Sequence, residues 1–340
     1  MKRRISIFLF CVLLVFIWTG CSKRDNPSAQ EVVVYTSEDQ VFSEPILREF
    51  EKETGIKVRA VFDTEEAKST GVMNRLIAEK DNPQADVFWA NEPFRAQVLK
   101  DKGIAAVYHS PQAEGIPELY KDPDGYWTGF SARARVLVVN QSVENFPASI
   151  LTYTDPVWRG KGVIANPLFG TTTVQVAALF SHWGEDKAKG FLEAMKTNAV
   201  GVSTSNGEST DFVSSGQYAF SLVDSDDAVS RMRQGRPITM VYPDQGPDEV
   251  GCLIVPNAVV LINGARYPDN ARRLIDYLLS RGTERKLAYA DCAQIPLHSG
   301  VDIPKEIRPI EQIKVMDIDY AEVARTMQTI QPTLKAWAGL

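Results

Sequence analysis

The stretch EVVVYTSEDQVFSEPILREFEKETGIKVRAVF, residues 31–62, decides the fold. Its β-branched run at 32–35 reads as a strand, and Ser43-Glu44-Pro45 starts a helix that places Ile46, Leu47 and Phe50 on one face. Gly55 stops that helix, and a second strand follows at 56–62. Further along, 72–80 reads as a helix, 85–89 as a strand and 93–102 as a helix. Strands and helices alternating at this spacing imply a parallel sheet covered on both faces, with ligands gathering beyond the carboxyl ends of its strands.

A second unit of the same kind starts near Ala134, with strands at 135–139 and 162–165 and a helix at 172–183. It ends near Cys252, after which 251–255 and the apolar run 258–262 carry the chain back to the first unit. Amphipathic helices at 270–279 and 284–290 follow, and 320–337 reads as one final packing helix. The expected organisation is α/β with two lobes, lobe 1 comprising 31–133 and 256–340 and lobe 2 comprising 134–255. Two crossings between them form a hinge.

Upstream of residue 31 the chain reads as an address. Met1-Lys2-Arg3-Arg4, an apolar run over 5–17 and Trp18-Thr19-Gly20-Cys21 have the form of a bacterial lipoprotein signal, and a spanning helix needs about 20 apolar residues. Residues 1–20 are expected to be removed, Cys21 to be acylated, and 21–30, polar and containing Pro27 and Ser28, to be the tether to the folded body. The expected location is extracytoplasmic, periplasmic or at the outer face of a membrane. Loss of Lys2, Arg3 and Arg4 takes the formal charge from −6 to −9, which argues against a nucleic-acid partner. Of the 4 cysteines, Cys252 and Cys292 remain after Cys11 and Cys21, either as a disulfide or as two separately buried thiols.

Enzyme chemistry finds little support. The 3 histidines, His109, His182 and His298, lack metalloprotease spacing, and the chain has no Gly-x-Ser-x-Gly elbow or Walker loop. A carboxylate pair could perform acid–base work, so a carboxylate-dependent enzyme is a remote alternative.

Binding chemistry is better represented. Asp224, Asp226 and Asp227 follow the apolar strand 220–223, so their loop lies at its carboxyl end, where three crowded carboxylates require a cation or hydrogen-bond donors. One of them capping a helix that begins near Asp227 is the plainer alternative. Gly170-Thr171-Thr172-Thr173 opens the helix with Val174, Ala177 and Ala178, which makes it an anion cradle or an ordinary cap. Asn206 is either a cleft donor or a turn residue in Ser205-Asn206-Gly207. Arg133 and Arg135 alternate on one strand; Arg133 is the expected anion contact, with a structural ion pair as the alternative. Trp89, Trp127 and Tyr35 either stack in the cleft or pack. In the charged loop after the second strand, Asp63 could reach the cleft and Lys68 could meet an anion.

The chain resembles the bacterial iron(III) transport family of periplasmic substrate-binding proteins, the two-lobed receptors of ABC importers. The residues that carry the likeness are Val34-Tyr35-Thr36-Ser37, the stretch FEKETGIKV at 50–58, Ala85-Asp86-Val87-Phe88-Trp89, and GFSARAR at 129–135. Asp155-Pro156-Val157-Trp158-Arg159-Gly160-Lys161 and Gly170-Thr171-Thr172-Thr173 continue it in order. The resemblance implies the type II periplasmic-binding-protein fold, each lobe a mainly parallel sheet flanked by helices, and a monomer that works with an inner-membrane permease and its ATPase.

The chain also departs from that pattern. Where ferric-binding relatives place two adjacent tyrosinates, it has Asp226 and Asp227; where they often place a third tyrosinate before Asn or Asp, it has Val139, next to Asn140. A first-lobe ligand position falls at Asp39 and another at Asn91 or Glu92. The ligand expected from the resemblance is iron(III) or another hard cation, held by Asp226 and Asp227 with a phosphate or carbonate at residues 170–173. The alternative is a phosphorylated small molecule, an aminophosphonate or sugar phosphate, whose own anion would occupy the cradle.

Overall fold

The computed structural model describes residues 30–63 and 71–339. The signal, Cys21, almost all of the tether, and Lys68 with its neighbours lie outside the described residues. The first half runs β1 (Glu31–Thr36), α1 (Gln40–Thr54), β2 (Lys57–Phe62), α2 (Gly71–Ala78), β3 (Val87–Ala90), α3 (Pro93–Asp101) and the short β4 (Ala105–Ala106). β1 pairs in parallel with both β2 and β3, as the alternation of strands and helices requires. Helix α1 begins at Gln40, earlier than the Ser43-Glu44-Pro45 signal implied, and takes Pro45 inside it. Gly55 ends it at φ 71°, with its N–H bonded to the Glu51 carbonyl.

β5 (Thr128–Asn140) then crosses the molecule, followed by β6 (Gly162–Ala165), α4 (Gly170–Trp183), α5 (Glu185–Thr197), β7 (Gly201–Ser203), α6 (Asn206–Ser214), β8 (Phe220–Asp224), α7 (Ser225–Arg233) and β9 (Ile238–Val241). β10 (Ile254–Ile262) returns, and α8 (Pro268–Leu278), α9 (Arg281–Tyr289), α10 (Tyr320–Thr329) and α11 (Gln331–Trp337) close the chain. The strands form one continuous sheet in the order β2-β1-β3-β10-β5-β8-β6-β7, with β4 on β10 and β9 on β5. Parallel strands occupy both wings, and the antiparallel pairs are those made by the crossing strands β5 and β10 and by β4 and β9, which border them.

The change of lobe is visible in the register of β5. Up to Ala134, which faces Ile254, it pairs with β10; from Arg135, which faces Asp224, it pairs with β8. The return crossing lies beside it, where the Arg135 N–H donates to the Leu253 carbonyl at 2.8 Å.

The C-terminal segment holds both halves together. Tyr320 packs its ring near Phe94, Tyr120 and Trp127 of the first half and donates its hydroxyl to the Ile254 carbonyl at 2.7 Å. Trp337 instead donates its indole N–H to the Leu192 carbonyl of α5 at 2.8 Å. The end of 256–340, which sequence groups with lobe 1, therefore also grips lobe 2 as a third connection. The single helix expected over 320–337 is two, divided at Ile330 ahead of Pro332, whose ring nitrogen has no proton for the helical ladder.

Of the two readings of the large aromatics, packing is the one the structure shows. Trp89, Trp127 and Tyr35 are buried; Trp89 donates to Asn257, Trp127 to Gln97, and the Tyr35 hydroxyl to Glu79. Their ring surface went to packing and their polar tips to internal partners. Cys252 and Cys292 are two separate buried thiols, bonded to the carbonyls of Arg135 and Leu287.

Candidate functional site

In the second half, three parallel strands in the order β8-β6-β7 each lead directly into a helix: β6 to α4, β7 to α6 and β8 to α7. Their carboxyl ends therefore bring together three helix N-termini, a concentration of unpaired amide groups and positive dipole ends. In the first half the loops after β1 and β3 carry Ser37, Glu38, Asp39, Asn91 and Glu92 by the same logic.

Arg135 stands at the centre of the second-half cluster. Its guanidinium, 1% exposed, donates to Asp224 at 3.0 Å, Thr171 at 3.1 Å, Asn206 at 3.2 Å, the Leu222 carbonyl at 3.0 Å and Thr172 at 3.4 Å. The β5–β8 register sets Arg135 opposite Asp224 and so places the ion pair across neighbouring strands. Asp224 also accepts from the Thr171 hydroxyl at 2.6 Å and from the Asn206 amide at 3.1 Å, so both of its oxygens are engaged. Asn206, read as a possible turn residue, is the first residue of α6; Ser205 caps that helix, accepting from the Glu208 N–H, while the Glu208 carboxylate accepts from the Thr204 N–H.

The expected threonine donors are largely spent. Thr171 gives its proton to Asp224 and receives bonds from Arg135 and from Asn206 at 2.9 Å, while Thr173 gives its proton to the Pro167 carbonyl at 2.7 Å. Thr172 is buried beneath them. An anion at this end of α4 would therefore meet backbone amides. Phe169 at the N-cap offers no side-chain cap, and Gly170 at φ 60° has open space where a side chain would lie.

Asp226 and Asp227 occupy the first turn of α7, and Asp224 at its N-cap makes no side-chain capping bond, so the simple capping alternative does not describe them. Carboxylate oxygens of Asp224, Asp226 and Asp227 lie within 4.8 Å of one another. Burial first, and then the charge of Asp224, push the Asp226 carboxyl up to about 6, and Asp39 across the cleft adds to this. Burial and the charges of Asp226 and Asp224 likewise raise Asp227 well above the usual carboxylate range.

Arg133, two residues before Arg135, faces the first half. It donates to the Asn91 carbonyl, and although burial opposes its charge, the carboxylates of Glu38, Asp226, Asp224 and Glu92 more than offset that and hold its pKa above the ordinary arginine value. Glu92 is buried and pairs with Arg95 at 3.0 Å. The Asn91 side chain accepts from the Ser37 hydroxyl at 3.0 Å, tying the loops after β1 and β3 together.

The structure thus gathers Asp39, Asn91, Glu92, Arg133, Gly170, Thr171, Asn206, Asp224, Asp226 and Asp227 around two arginines on one strand, and turns Thr172 and Thr173 inward. Val139 is fully buried toward the other end of β5, away from this cluster, and Asn140 donates to the Val213 carbonyl. Asp63 accepts from the Val72 N–H at 3.4 Å and serves the start of α2. Sequence reasoning missed Glu38, the acid beside Asp39, which accepts from Gln294 at 3.0 Å and bears on Arg133. It also ranked Arg135 below Arg133; the signal that could have raised it is its place opposite the end of the strand that carries Asp224.

Residues 82–323 match the model of the family described as bacterial extracellular solute-binding protein. Iron uptake protein A1 of Synechocystis is 27% identical over 305 residues, 85% of this chain and 82% of the relative. The putative 2-aminoethylphosphonate-binding periplasmic protein of Salmonella typhimurium is 26% identical over 268 residues, 77% of this chain and 74% of the relative. Iron-bound HitA from Pseudomonas aeruginosa, at 19% identity, superposes with a TM-score of 0.78 over 89% of this chain and 99% of its own. The fold is that of the type II periplasmic binding proteins, and these similarities agree with the iron(III) group within them. Together with loops from two lobes converging on a buried charged site, they establish that the chain belongs to the bacterial extracellular solute-binding protein family, the periplasmic solute-binding proteins of ABC importers.

Proposed function

We propose that the protein captures a small organophosphorus anion that also carries an ammonium or hydroxyl groups, and delivers it to an ABC permease and its ATPase. The observation that carries this reading is the division of the site: an uncapped α4 N-terminus with space above Gly170, and beside it the clustered carboxylates of Asp224, Asp226 and Asp227, where burial and mutual repulsion raise the Asp226 and Asp227 carboxyls. A ligand bearing both an anion and a cation or hydroxyls answers both needs at once. The relative named for 2-aminoethylphosphonate has a ligand of that chemistry in its name. Cys21 would carry the lipid anchor, 22–30 the leash, and the protein would act as a monomer.

A second reading, iron(III) with a synergistic phosphate or carbonate, is favoured by the carboxylate oxygens that lie within 4.8 Å of one another and by the iron-uptake relative. Titration calorimetry separates the two. Asp226→Asn combined with Asp227→Asn abolishes binding of iron(III) citrate if the metal is the ligand, whereas affinity for 2-aminoethylphosphonate or a hexose phosphate falls but remains measurable if the phosphorus group anchors it. No heat with any phosphorus compound, together with saturable iron(III) binding by the wild type, would overturn the first reading.

A further inference from the structure

We propose that Arg135 is a specificity-determining positioning residue that withholds Asp224 from metal ions and thereby closes the three-carboxylate cluster to hard cations. The inference rests on the reading that the ligand brings its own anion, and explains how a site with this many carboxylates avoids collecting metal.

The geometry carries it. Oxygen ligands lie roughly 2.3–2.6 Å from a hard cation, so oxygens within 4.8 Å of one another can surround one ion. Asp226 and Asp227 supply two carboxylates, and the third of this cluster is Asp224. Asp224 is held by three donors, Arg135, the Thr171 hydroxyl and the Asn206 amide, and its ion-pair partner is a guanidinium that is itself almost wholly buried. Thr171 cannot turn away independently, because its proton goes to Asp224 and its lone pairs receive Arg135 and Asn206. To ligate a metal, Asp224 would have to break this ring of bonds and leave the Arg135 charge buried without its partner, a heavy cost. Arg135 does not reach the ligand; it acts through Asp224, Thr171 and Asn206, and its backbone lies at the crossing between the lobes.

The test uses terbium(III) as the hard-cation probe on the full chain in detergent, read by calorimetry and thermal unfolding. Wild type and Asp224→Asn are both expected to bind terbium weakly and with the same number of waters on the ion, read from its luminescence lifetime, because Asp224 is a ligand in neither. Arg135→Met is expected to bind it on the order of a hundredfold more tightly, since one more carboxylate raises the ligand charge, and to regain in terbium the melting temperature it loses without it. Adding Asp224→Asn to Arg135→Met removes both effects. Loss of the Arg135 charge alone predicts tighter binding with no change in the number of waters on terbium, whereas ligation by Asp224 displaces at least one. The proposal is overturned if Asp224→Asn adds a water to bound terbium in the wild-type background, where Arg135 is present, since that shows Asp224 to be a ligand there. It is equally overturned if folded Arg135→Met binds terbium no better than wild type. Should Arg135→Met not fold, the comparison of wild type with Asp224→Asn decides. Titration of the wild type with 2-aminoethylphosphonate runs alongside; its failure with the terbium pattern intact overturns the ligand reading and leaves the role of Arg135 standing.

Discussion

Asp226 and Asp227 carry a pH dependence whose sign follows from their surroundings. Both have folded pKa values above the ordinary carboxylate value, and for Asp226, pushed up to about 6, the folded protein binds more protons than the unfolded chain between pH ~4 and ~6. Their contribution to stability is therefore full below that window and is lost as pH rises through it. Asp226→Asn is expected to raise the stability of the ligand-free protein at pH 7 by about 1–2 kcal/mol, with little effect at pH 4, as measured by urea denaturation. A ligand with an ammonium should bind more tightly as pH rises through about 6, and the same substitution should flatten that profile. At this scale the residue types were legible in the sequence, but their use was not. Three threonines in a row look alike until the fold assigns Thr171 to Asp224 and Thr173 to Pro167. Arg133 and Arg135 are likewise told apart by which lobe each guanidinium reaches.

The elements were read with greater success where hydrophobic period and punctuation agree. The opening βαβαβα alternation and the β6–α4 and β8–α7 joints follow from short apolar runs ended by small or polar residues. The β7–α6 joint was not read, since Gly201–Ser203 is too brief to show a period. It matters, because α6 presents Asn206 to the Arg135 ring of bonds. Ser205→Ala removes its N-cap and should cost about 1 kcal/mol of stability, while weakening ligand binding by disordering Asn206. Chemical denaturation and calorimetry on the same variant check the two effects. The C-terminal helices were read as one because amphipathic period continues across Pro332. Trp337→Ala should cost about 3 kcal/mol, since it removes a buried indole and its bond to Leu192.

For the whole molecule, two α/β lobes follow from the sequence, and the structure adds that their strands join in one continuous sheet and how the lobes are coupled. β5 passes from one lobe to the other between two arginines, Arg133 serving the first-half loops and Arg135 the second-half helices. Closure on a ligand would move these against each other, with α10 and α11 as the strap behind them. The ligand was least legible, because it depends on which carboxylates are already satisfied, and that emerges only when strands distant in sequence meet. Native mass spectrometry of the protein isolated gently from its own cells tests the central claim most directly. The account predicts a bound small organophosphorus acid without metal; an iron adduct with no organic phosphorus compound would contradict it.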